Sequence, residues 1–356
     1  MEPRVPYRGR GAAVNPPNRF ETVRLERDDD WDGPDDPAPA TQFFQDKTRS
    51  LISRNSSPDI GFSASLNPYR GCEHGCAYCY ARPTHEYLGF SAGLDFESKI
   101  MVKSDAPALL RTALSSPRWL PEVLAMSGVT DCYQPVERRL KITRGCLEVL
   151  AEFLQPVSII TKNALVTRDI DVLKELARFQ AARVTLSVSS LRPELARTLE
   201  PRAAAPPSRL AAIEALAKAG IPVFVNVAPV IPGLNDFEMP AVIERAAAAG
   251  ASGAGFTILR LPYAVAPIFE KWLGDHQPDA KEKVLHRIRE LRGGRLNDSS
   301  FGKRMIGEGP YARHVSDLFQ AACRRAQFPT VAPLSGAHFR RPVDDRQPEF
   351  GFADQI

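Results

Sequence analysis

Three cysteines within eight residues constrain this chain more than any other feature of its sequence. Cys72, Cys76 and Cys79 follow a C-x3-C-x2-C spacing, with Gly71 and Gly75 beside and between them. Thiolates are soft ligands that suit iron–sulfur clusters or zinc. Glycine adopts backbone dihedral angles that other residues avoid, so this short loop can direct all three thiols to one place. The spacing therefore predicts a metal or cluster site.

Two kinds of site are compatible with this loop. A 4Fe–4S cube held by three thiolates keeps one iron open for a substrate or cofactor, like the open position of a catalytic metal. A structural zinc would need a fourth ligand, for which His74 and His85 are the candidates. Zinc sites usually combine two paired halves, and the sequence has no second pair. The spacing favours the cluster and leaves zinc as the alternative.

The loop, with the aromatic Tyr78 just before the last cysteine, resembles the signature loop of the radical S-adenosylmethionine (SAM) enzymes. The resemblance implies a 4Fe–4S cluster on Cys72, Cys76 and Cys79, with SAM chelating the open iron through its amino and carboxylate groups. It implies reductive cleavage of SAM to a 5′-deoxyadenosyl radical, which abstracts hydrogen from a substrate. It also implies that Tyr78 lies near the adenine of SAM.

The composition is that of an ordinary globular protein. Hydrophobic residues make up 44% and charged residues 25% of the 356 residues, and the formal net charge is +4. Cys132, Cys146 and Cys323 are scattered along the chain, which argues against a disulfide framework. Residues 1–10 lack the apolar stretch of a secretion signal, and no run reaches the ~18 apolar residues of a membrane span. We therefore expect a cytoplasmic protein that does not enter a membrane.

Changes in composition predict four segments. Residues 1–48 are rich in Pro, Gly, Asp and Arg, cannot supply a core, and are expected to be extended or partly disordered. Residues 49–262 are expected to form the main domain, and residues 263–330 a helical C-terminal extension. Residues 331–356 are expected to be a disordered tail.

The main domain shows short apolar strands alternating with helical segments. The strand candidates are residues 60–66, 122–127, 157–161, 183–189, 221–228 and 254–259. Such alternation is typical of parallel βαβ units. About six units predict an α/β fold, a partial (β/α)6 TIM-like barrel with its chemistry at the carboxyl ends of the strands, and the resemblance implies that this barrel is of the radical SAM type. The cysteine loop follows the first strand and is therefore expected at that end.

Polar residues follow the predicted strand ends, where they would face one cavity. Thr130 and Asp131 follow the second strand and can offer a hydroxyl and a carboxylate to an ammonium group, although both are also common in turns. Lys162 follows the third strand and can bind a carboxylate through a charge-assisted hydrogen bond. Ser187 and Ser189 share one face of the fourth strand, where inward hydroxyls need polar partners.

Three further residues complete the candidate site. Arg202, in the loop after the fourth strand, is a second candidate for binding a carboxylate. Asn226, on the fifth strand, can bond a ribose hydroxyl. Cys132 follows Asp131 closely, and its thiol either donates a hydrogen atom to a substrate radical or is a buried core residue.

Longer runs of sequence make the resemblance more specific than the superfamily. Residues 67–89, 130–135 and 161–163 are similar to bacterial radical SAM proteins of the "DNA repair photolyase" type, which are related to spore photoproduct lyase. In that lyase, radical chemistry reverses a thymine–thymine adduct in DNA. The similarity extends over most of the chain, from about residue 9 to residue 328.

The same resemblance implies roles for individual positions. Thr130 matches a SAM-binding serine, Lys162 and Ser187 match carboxylate contacts, and Ala228 matches a backbone contact. The lyase has a hydrogen-donating cysteine two residues before that serine. This chain has Gly128 at that position.

The leading hypothesis is a radical SAM enzyme acting on an unidentified substrate, with damaged DNA as one candidate. Its cluster would need a reducing electron donor, flavodoxin- or ferredoxin-like. Arg138, Arg139, Lys141 and Arg144 could bind nucleic acid and Tyr133 could stack on a base, although such charge runs are usually solvated. The alternatives are a non-catalytic nucleic-acid-binding protein with zinc and a cluster protein that only senses redox state.

Overall fold

The computed structural model describes residues 7–21 and 39–342. These residues form ten β-strands, eleven α-helices and three short 3-10 helices. The strands are β1 (Gln42–Gln45), β2 (Ile52–Arg54), β3 (Ala64–Leu66), β4 (Tyr69–Arg70), β5 (Lys99–Val102), β6 (Leu124–Met126), β7 (Val157–Thr161), β8 (Ala182–Ser187), β9 (Val223–Val230) and β10 (Gly253–Ile258). The α-helices are α1 (Leu94–Ser98), α2 (Ala106–Ser115), α3 (Glu137–Leu140), α4 (Ile142–Phe153), α5 (Ile170–Ala177), α6 (Pro193–Leu199), α7 (Pro206–Lys218), α8 (Met239–Ala248), α9 (Val265–His276), α10 (Pro278–Leu291) and α11 (Gly309–Ala326).

Seven strands form the main sheet, in the order β10-β9-β8-β7-β6-β3-β2. All the pairings from β3 through β10 are parallel, and β2 adds an antiparallel edge strand to β3. Helices α9, α10 and α11 follow the last strand, and α11 packs against α8 and β10. The predicted partial (β/α)6 barrel with a helical C-terminal extension is confirmed. None of the helices in the described ranges combines the length and apolar character needed to cross a membrane.

Alternation along the strands decides which side chains face the interior of this partial barrel. In β9, Val223, Val225 and Val227 are buried and belong to the main hydrophobic core. Asn226 and Ala228 lie between them on the other face and are half-buried. The β8 register sets Ser187 opposite Asn226, so these two polar side chains lie on neighbouring strands. The two-residue period of a β-strand therefore decides which polar side chains face the interior of the partial barrel.

A second, smaller sheet was not foreseen from the sequence. Its order is β1-β5-β4, with β1 parallel and β4 antiparallel to β5. Strand β4 ends at Arg70, so the small sheet positions the start of the cysteine loop. Strands β1 and β4 have only four and two residues and include polar side chains, so they give no clear periodic pattern.

The N-terminal residues contact the cysteine loop. The carboxylate of Glu97 accepts hydrogen bonds from the backbone N–H groups of Gly11 (3.1 Å) and Ala12 (2.8 Å) and from the guanidinium of Arg82 (2.8 Å). Glu97 and Arg82 are both fully buried. A Cβ on Gly11 would lie 1.7 Å from the carbonyl oxygen of Gly75. Residues 7–21 contain turns and bends and no strand or helix, and they are anchored against the loop.

The C-terminal end differs from the expectation of a disordered tail over residues 331–356. Within residues 331–342, Ser335 N–H donates to the Gln180 carbonyl (3.0 Å) and Arg340 N–H donates to the Phe153 carbonyl (2.9 Å). The Phe339 ring lies 6.1 Å from the Phe153 ring. A single aromatic anchor in a polar stretch gives no periodic signal. Residues 1–6, 22–38 and 343–356 lie outside the described residues.

Replacing Glu97 with alanine is expected to lower the free energy of unfolding by about 3–5 kcal/mol, because Arg82 would remain as a buried charge without its carboxylate. Urea unfolding measures this change. Glu214→Ala removes a solvent-exposed pair with Lys218 and serves as the control, with an expected loss below about 1 kcal/mol. Equal effects of the two substitutions would contradict the role assigned to Glu97.

Candidate active site

The cysteine loop contains two hydrogen-bonded turns. Gly75 N–H donates to the Cys72 carbonyl (3.3 Å), and Cys79 N–H donates to the Cys76 carbonyl (3.2 Å). Gly75 has a φ of 64°, which favours glycine, and a Cβ there would lie 2.3 Å from Glu97 Oε2. The chain therefore needs glycine at position 75 both for its backbone conformation and for its contact with Glu97.

The turns bring the three thiols so close together that the charge of one affects the pKa of another. Burial raises the pKa of Cys72 well above its usual value, and the charges of Asp131, Cys76 and Cys79 raise it further. Burial is also the main reason why the pKa values of Cys76 and Cys79 are raised. Buried thiols this close to one another become thiolates only if positive charge is supplied, as a bound metal does. The site is suited to a metal-containing group.

Three cysteine thiols are the donor set of a site-differentiated iron–sulfur cluster, whereas a structural zinc needs a fourth ligand. Within the described ranges, no group of three or more His, Cys, Asp or Glu side chains could hold one metal ion. A structural zinc draws its four ligands to about 2.0–2.3 Å, whereas each cysteine of a cluster binds its own iron. Three thiols that are neighbours without converging on one point are therefore compatible with a 4Fe–4S cube.

The two histidines proposed as zinc ligands have other partners. His74 Nδ1 lies 3.3 Å from Asp131 Oδ2, and its Nε2 lies 3.2 Å from the side-chain nitrogen of Asn163. His85 Nε2 lies 2.9 Å from the Lys99 carbonyl oxygen. Both rings contribute hydrogen bonds to the scaffold around the loop.

Tyr78 is fixed by a buried polar network. Its hydroxyl donates to the carboxylate of Glu200, which also accepts from Ser189 (2.9 Å) and from Arg209. Burial opposes ionisation of Glu200, but the charges of Arg209 and Lys162 outweigh it and the pKa falls below its usual value. Lys162 Nζ lies 5.7 Å from the centre of the Tyr78 ring. The structure thus brings Tyr78 and Lys162 together beside the cysteine loop.

Asp131 is surrounded by donors from its own chain. Its carboxylate accepts from the Thr161 hydroxyl (2.7 Å), from Lys162 N–H (2.7 Å) and from Tyr133 N–H (2.9 Å). Burial works to raise its pKa, but His74 and these donors outweigh burial and lower the pKa to about 2. Asp131 therefore ties the end of β7 to the turn after β6, in addition to any contact with a cofactor.

The other predicted residues are distributed over neighbouring strand ends. Thr130 is buried and donates its hydroxyl to the Tyr69 carbonyl (3.0 Å). Ser187 lies opposite Asn226, and Ala228 follows two residues later on the same face of β9. Thr130, Lys162, Ser187, Asn226 and Ala228 thus all lie at or near the carboxyl ends of parallel strands, on the side of the cysteine loop.

The guanidinium of Arg202 binds elsewhere. It pairs with Glu73 (3.1 Å) and donates to the Thr41 hydroxyl (3.1 Å). Together with Arg138 it lines a surface cavity of about 430 Å³. The structure therefore does not bring the Arg202 side chain together with Lys162 and Ser187.

Cys132 and Tyr133 point into the protein core. Cys132 is fully buried in the main hydrophobic cluster, and burial raises the pKa of its thiol well above the usual value. Tyr133 is also fully buried, and its hydroxyl donates to Asp169 (3.0 Å). The expectation that Tyr133 could stack on a base is wrong, because its ring has no exposed face. The hydrogen-donor role of Cys132 stays a prediction.

Sequence reasoning missed the residues that support the loop from a distance. Glu200, Arg209 and Glu97 have no local motif, since each acts through partners far along the chain. Tyr80 was also missed, although an aromatic residue directly after the last cysteine is a visible signal. Its ring is 52% exposed, in contrast to the buried Tyr78.

Comparisons with known proteins agree with this geometry. The model of the radical SAM superfamily matches residues 66–246, which span the cysteine loop and most of the parallel strands. An uncharacterized protein of Mycobacterium tuberculosis strain H37Rv, Rv2578c, is 39% identical over 276 residues, covering 77% of this chain and 78% of its own. The uncharacterized protein MJ0683 of Methanocaldococcus jannaschii is 31% identical over 197 residues, covering 55% of this chain and 71% of its own.

Solved structures give the same fold. Spore photoproduct lyase complexed with dinucleoside spore photoproduct superposes with a TM-score of 0.58 at 17% identity, covering 80% of this chain and 78% of that one. A mutant of the same lyase gives a TM-score of 0.56 over the same coverage. The fold and the cysteine loop define a class of protein that groups three cysteines at the mouth of a partial parallel barrel. The chain belongs to the radical SAM superfamily.

Replacing Asp131 with asparagine is expected to lower the free energy of unfolding by about 1.5–3 kcal/mol, because charged hydrogen bonds to Thr161 and Lys162 are weakened or lost. Urea unfolding measures the change. Asp171→Asn, in a solvent-exposed pair with Arg144, is the control and is expected to cost less than about 1 kcal/mol. Unchanged stability of the Asp131 variant would contradict the inference that Asp131 holds the end of β7 against the turn after β6.

Proposed function

We propose that this chain is an enzyme that cleaves SAM reductively and uses the resulting 5′-deoxyadenosyl radical to abstract hydrogen from a substrate. The observation that supports it most directly is the grouping of three thiols, two buried and one half-buried, beside the carboxyl ends of the parallel strands. Superfamily membership supports the same chemistry. A sensor or a zinc-binding module would not need the row of polar side chains on the neighbouring strand ends.

In this proposal Cys72, Cys76 and Cys79 hold the cluster. When bound, a 4Fe–4S cluster supplies the electron that breaks a carbon–sulfur bond of SAM. Lys162 lies close enough to Cys76 and Cys79 to oppose part of the burial effect that raises their pKa values, and its position suits a carboxylate ligand.

The remaining cofactor contacts follow the strand ends. Thr130, Ser187, Asn226 and the backbone of Ala228 offer polar groups to the amino acid and ribose parts of SAM. Tyr78 bounds the space reserved for the adenine, with its ring held by Glu200. Asp131 positions Lys162 through the Lys162 backbone N–H.

Damaged DNA is the first substrate class to test. The spore photoproduct lyase structure that shares this fold was solved with a dinucleoside spore photoproduct. Arg138, Arg139 and Lys141 are exposed and could contact a phosphate backbone. Arg144 contributes less to such a surface, because Glu148 and Asp171 already pair with it. Gly128 replaces the donor cysteine of the lyase, so the final hydrogen donor would differ, with Cys132 as the candidate thiol.

Such an enzyme would depend on two features of its surroundings. An electron donor of flavodoxin or ferredoxin type would reduce the cluster. A reducing compartment such as the cytoplasm would keep the thiols and the cluster intact.

The first test is SAM cleavage by the full chain purified without oxygen, reconstituted with iron and sulfide and reduced with dithionite. Formation of 5′-deoxyadenosine is expected, measured by liquid chromatography. Cys72→Ala should lose both the cluster absorbance and the product. Cys146→Ala, a buried cysteine of helix α4, is the matched control and should retain both. Full iron content in Cys72→Ala, or no product from wild type with a full cluster, would overturn the proposal.

Lys162→Ala is expected to weaken SAM binding about 10- to 100-fold while leaving the cluster spectrum unchanged, because one charge-assisted hydrogen bond to the SAM carboxylate would be lost. Equilibrium binding to the reconstituted protein measures this effect. Lys174→Ala, on helix α5, is the control and should bind SAM as wild type does. Unchanged affinity in Lys162→Ala would remove this lysine from the SAM site.

A further inference from the structure

One arginine at the open side of the partial barrel has no carboxylate partner. Arg260 follows β10 by two residues, at the same end of the sheet as the cysteine loop. Among the described residues it forms no ion pair; its Nη1 lies 3.7 Å from the Met305 sulfur and its Nε is buried without a partner. A sulfur is a weak acceptor, so the guanidinium retains most of its capacity to donate hydrogen bonds.

Nearby charges do not compensate Arg260. Asp59 is the acidic side chain that acts on Arg260, but its carboxylate already binds Arg304 (2.5 Å) and Gly302 N–H (2.7 Å). Arg292, which is also close, is buried and donates to the carbonyls of Leu259 and Lys303. Burial together with the charge of Arg304 lowers the pKa of Arg260. This corner of the barrel therefore holds an excess of positive charge.

An exposed aromatic ring lies beside this guanidinium. The Arg260 guanidinium carbon lies 5.6 Å from the centre of the Tyr80 ring. Tyr80 directly follows Cys79, and its hydroxyl donates to the Gly128 carbonyl (2.7 Å) after β6. The hydroxyl is thus anchored while half of the ring surface is open to solvent. A planar group could stack on Tyr80 while its anionic substituent reaches Arg260.

The ligand would reach this pair from the side of Tyr80. Tyr80 is 52% exposed and Arg260 is half-buried. The edge of β10 is covered here, because Ile258 and Leu259 are buried and Ile258 N–H donates to the Met305 carbonyl (2.9 Å). The open face of the Tyr80 ring therefore provides the approach from solvent to Arg260.

We propose that Arg260 and Tyr80 form an oxyanion-binding subsite that docks a phosphate or carboxylate of the substrate beside the cysteine loop. Identifying the ligand as the substrate rests on the proposed function, but the binding itself does not. A guanidinium forms paired hydrogen bonds to either oxyanion, and the Tyr80 ring favours a ligand with a flat group near that charge.

The test compares two matched pairs of probes on the reconstituted full chain. One pair is the dinucleotide thymidylyl-thymidine, with one charged phosphodiester, and its neutral methylphosphonate analogue. The other pair is N-acetyltyrosine and its neutral amide, which test a carboxylate source. We expect at least one charged probe to bind about tenfold more tightly than its neutral partner, measured by calorimetry, and Arg260→Gln to abolish that preference.

Controls distinguish an effect on this subsite from an effect on folding or on SAM binding. Arg324→Gln, an exposed arginine of α11, should keep the preference for the charged probe. SAM affinity and 5′-deoxyadenosine formation without substrate should be unchanged in Arg260→Gln. The proposal is overturned if neither charged probe is preferred by wild type, if Arg260→Gln keeps the preference, or if it loses SAM binding. The wild-type comparison stays decisive even if the variant is unstable.

Discussion

The buried carboxylate of Glu97 is the interaction on which the cysteine loop depends. It accepts hydrogen bonds from Arg82, which follows the loop, and from the N-terminal residues Gly11 and Ala12. Its Oε2 also occupies the space that a side chain at Gly75 would need. One fully buried acid therefore joins three separate parts of the chain, and burial makes each of those bonds costly to break. The thiols of the loop keep their relative positions because this support is internal.

A second buried acid, Glu200, supports the opposite side of the loop. It binds the hydroxyl of Tyr78 and pairs with Arg209, while the adjacent Leu199 carbonyl accepts from Ala77 N–H (3.0 Å). The loop is thus held between two carboxylates, each neutralised by an arginine. Charges outside these two pairs still act on the thiols: Asp131 adds to the burial effect that raises the pKa of Cys72, whereas Lys162 opposes the burial effect that raises the pKa values of Cys76 and Cys79.

Local signals in the sequence were sufficient for the fold and for part of the site. The apolar run 157–161 predicted β7 at its observed bounds, and its end placed Lys162 beside the loop. Long-range partners carried no such signal: Tyr78 and Glu200 are 122 residues apart, and Gly11 and Glu97 are 86 residues apart. The sequence also offered no means of predicting which way the side chains of Tyr133 and Arg202 point. A turn residue can face the core or solvent, depending on contacts made by other segments.

The two ends of the main sheet are joined by side chains instead of a backbone ladder. Arg304 lies next to Met305, whose carbonyl accepts from Ile258 at the end of β10, and it binds Asp59 in the segment that leads into β3. A closed eight-stranded barrel would fix the width of its mouth by strand number and tilt. Here a few polar contacts span the gap: Asp59 accepts from Arg304 and from Gly302 N–H, and the Ser57 hydroxyl accepts from Arg304. Substitutions at Asp59 or Arg304 could widen or narrow the entrance of the barrel over evolutionary time. They could thereby change which molecules fit, without altering the cysteine loop or the strand order.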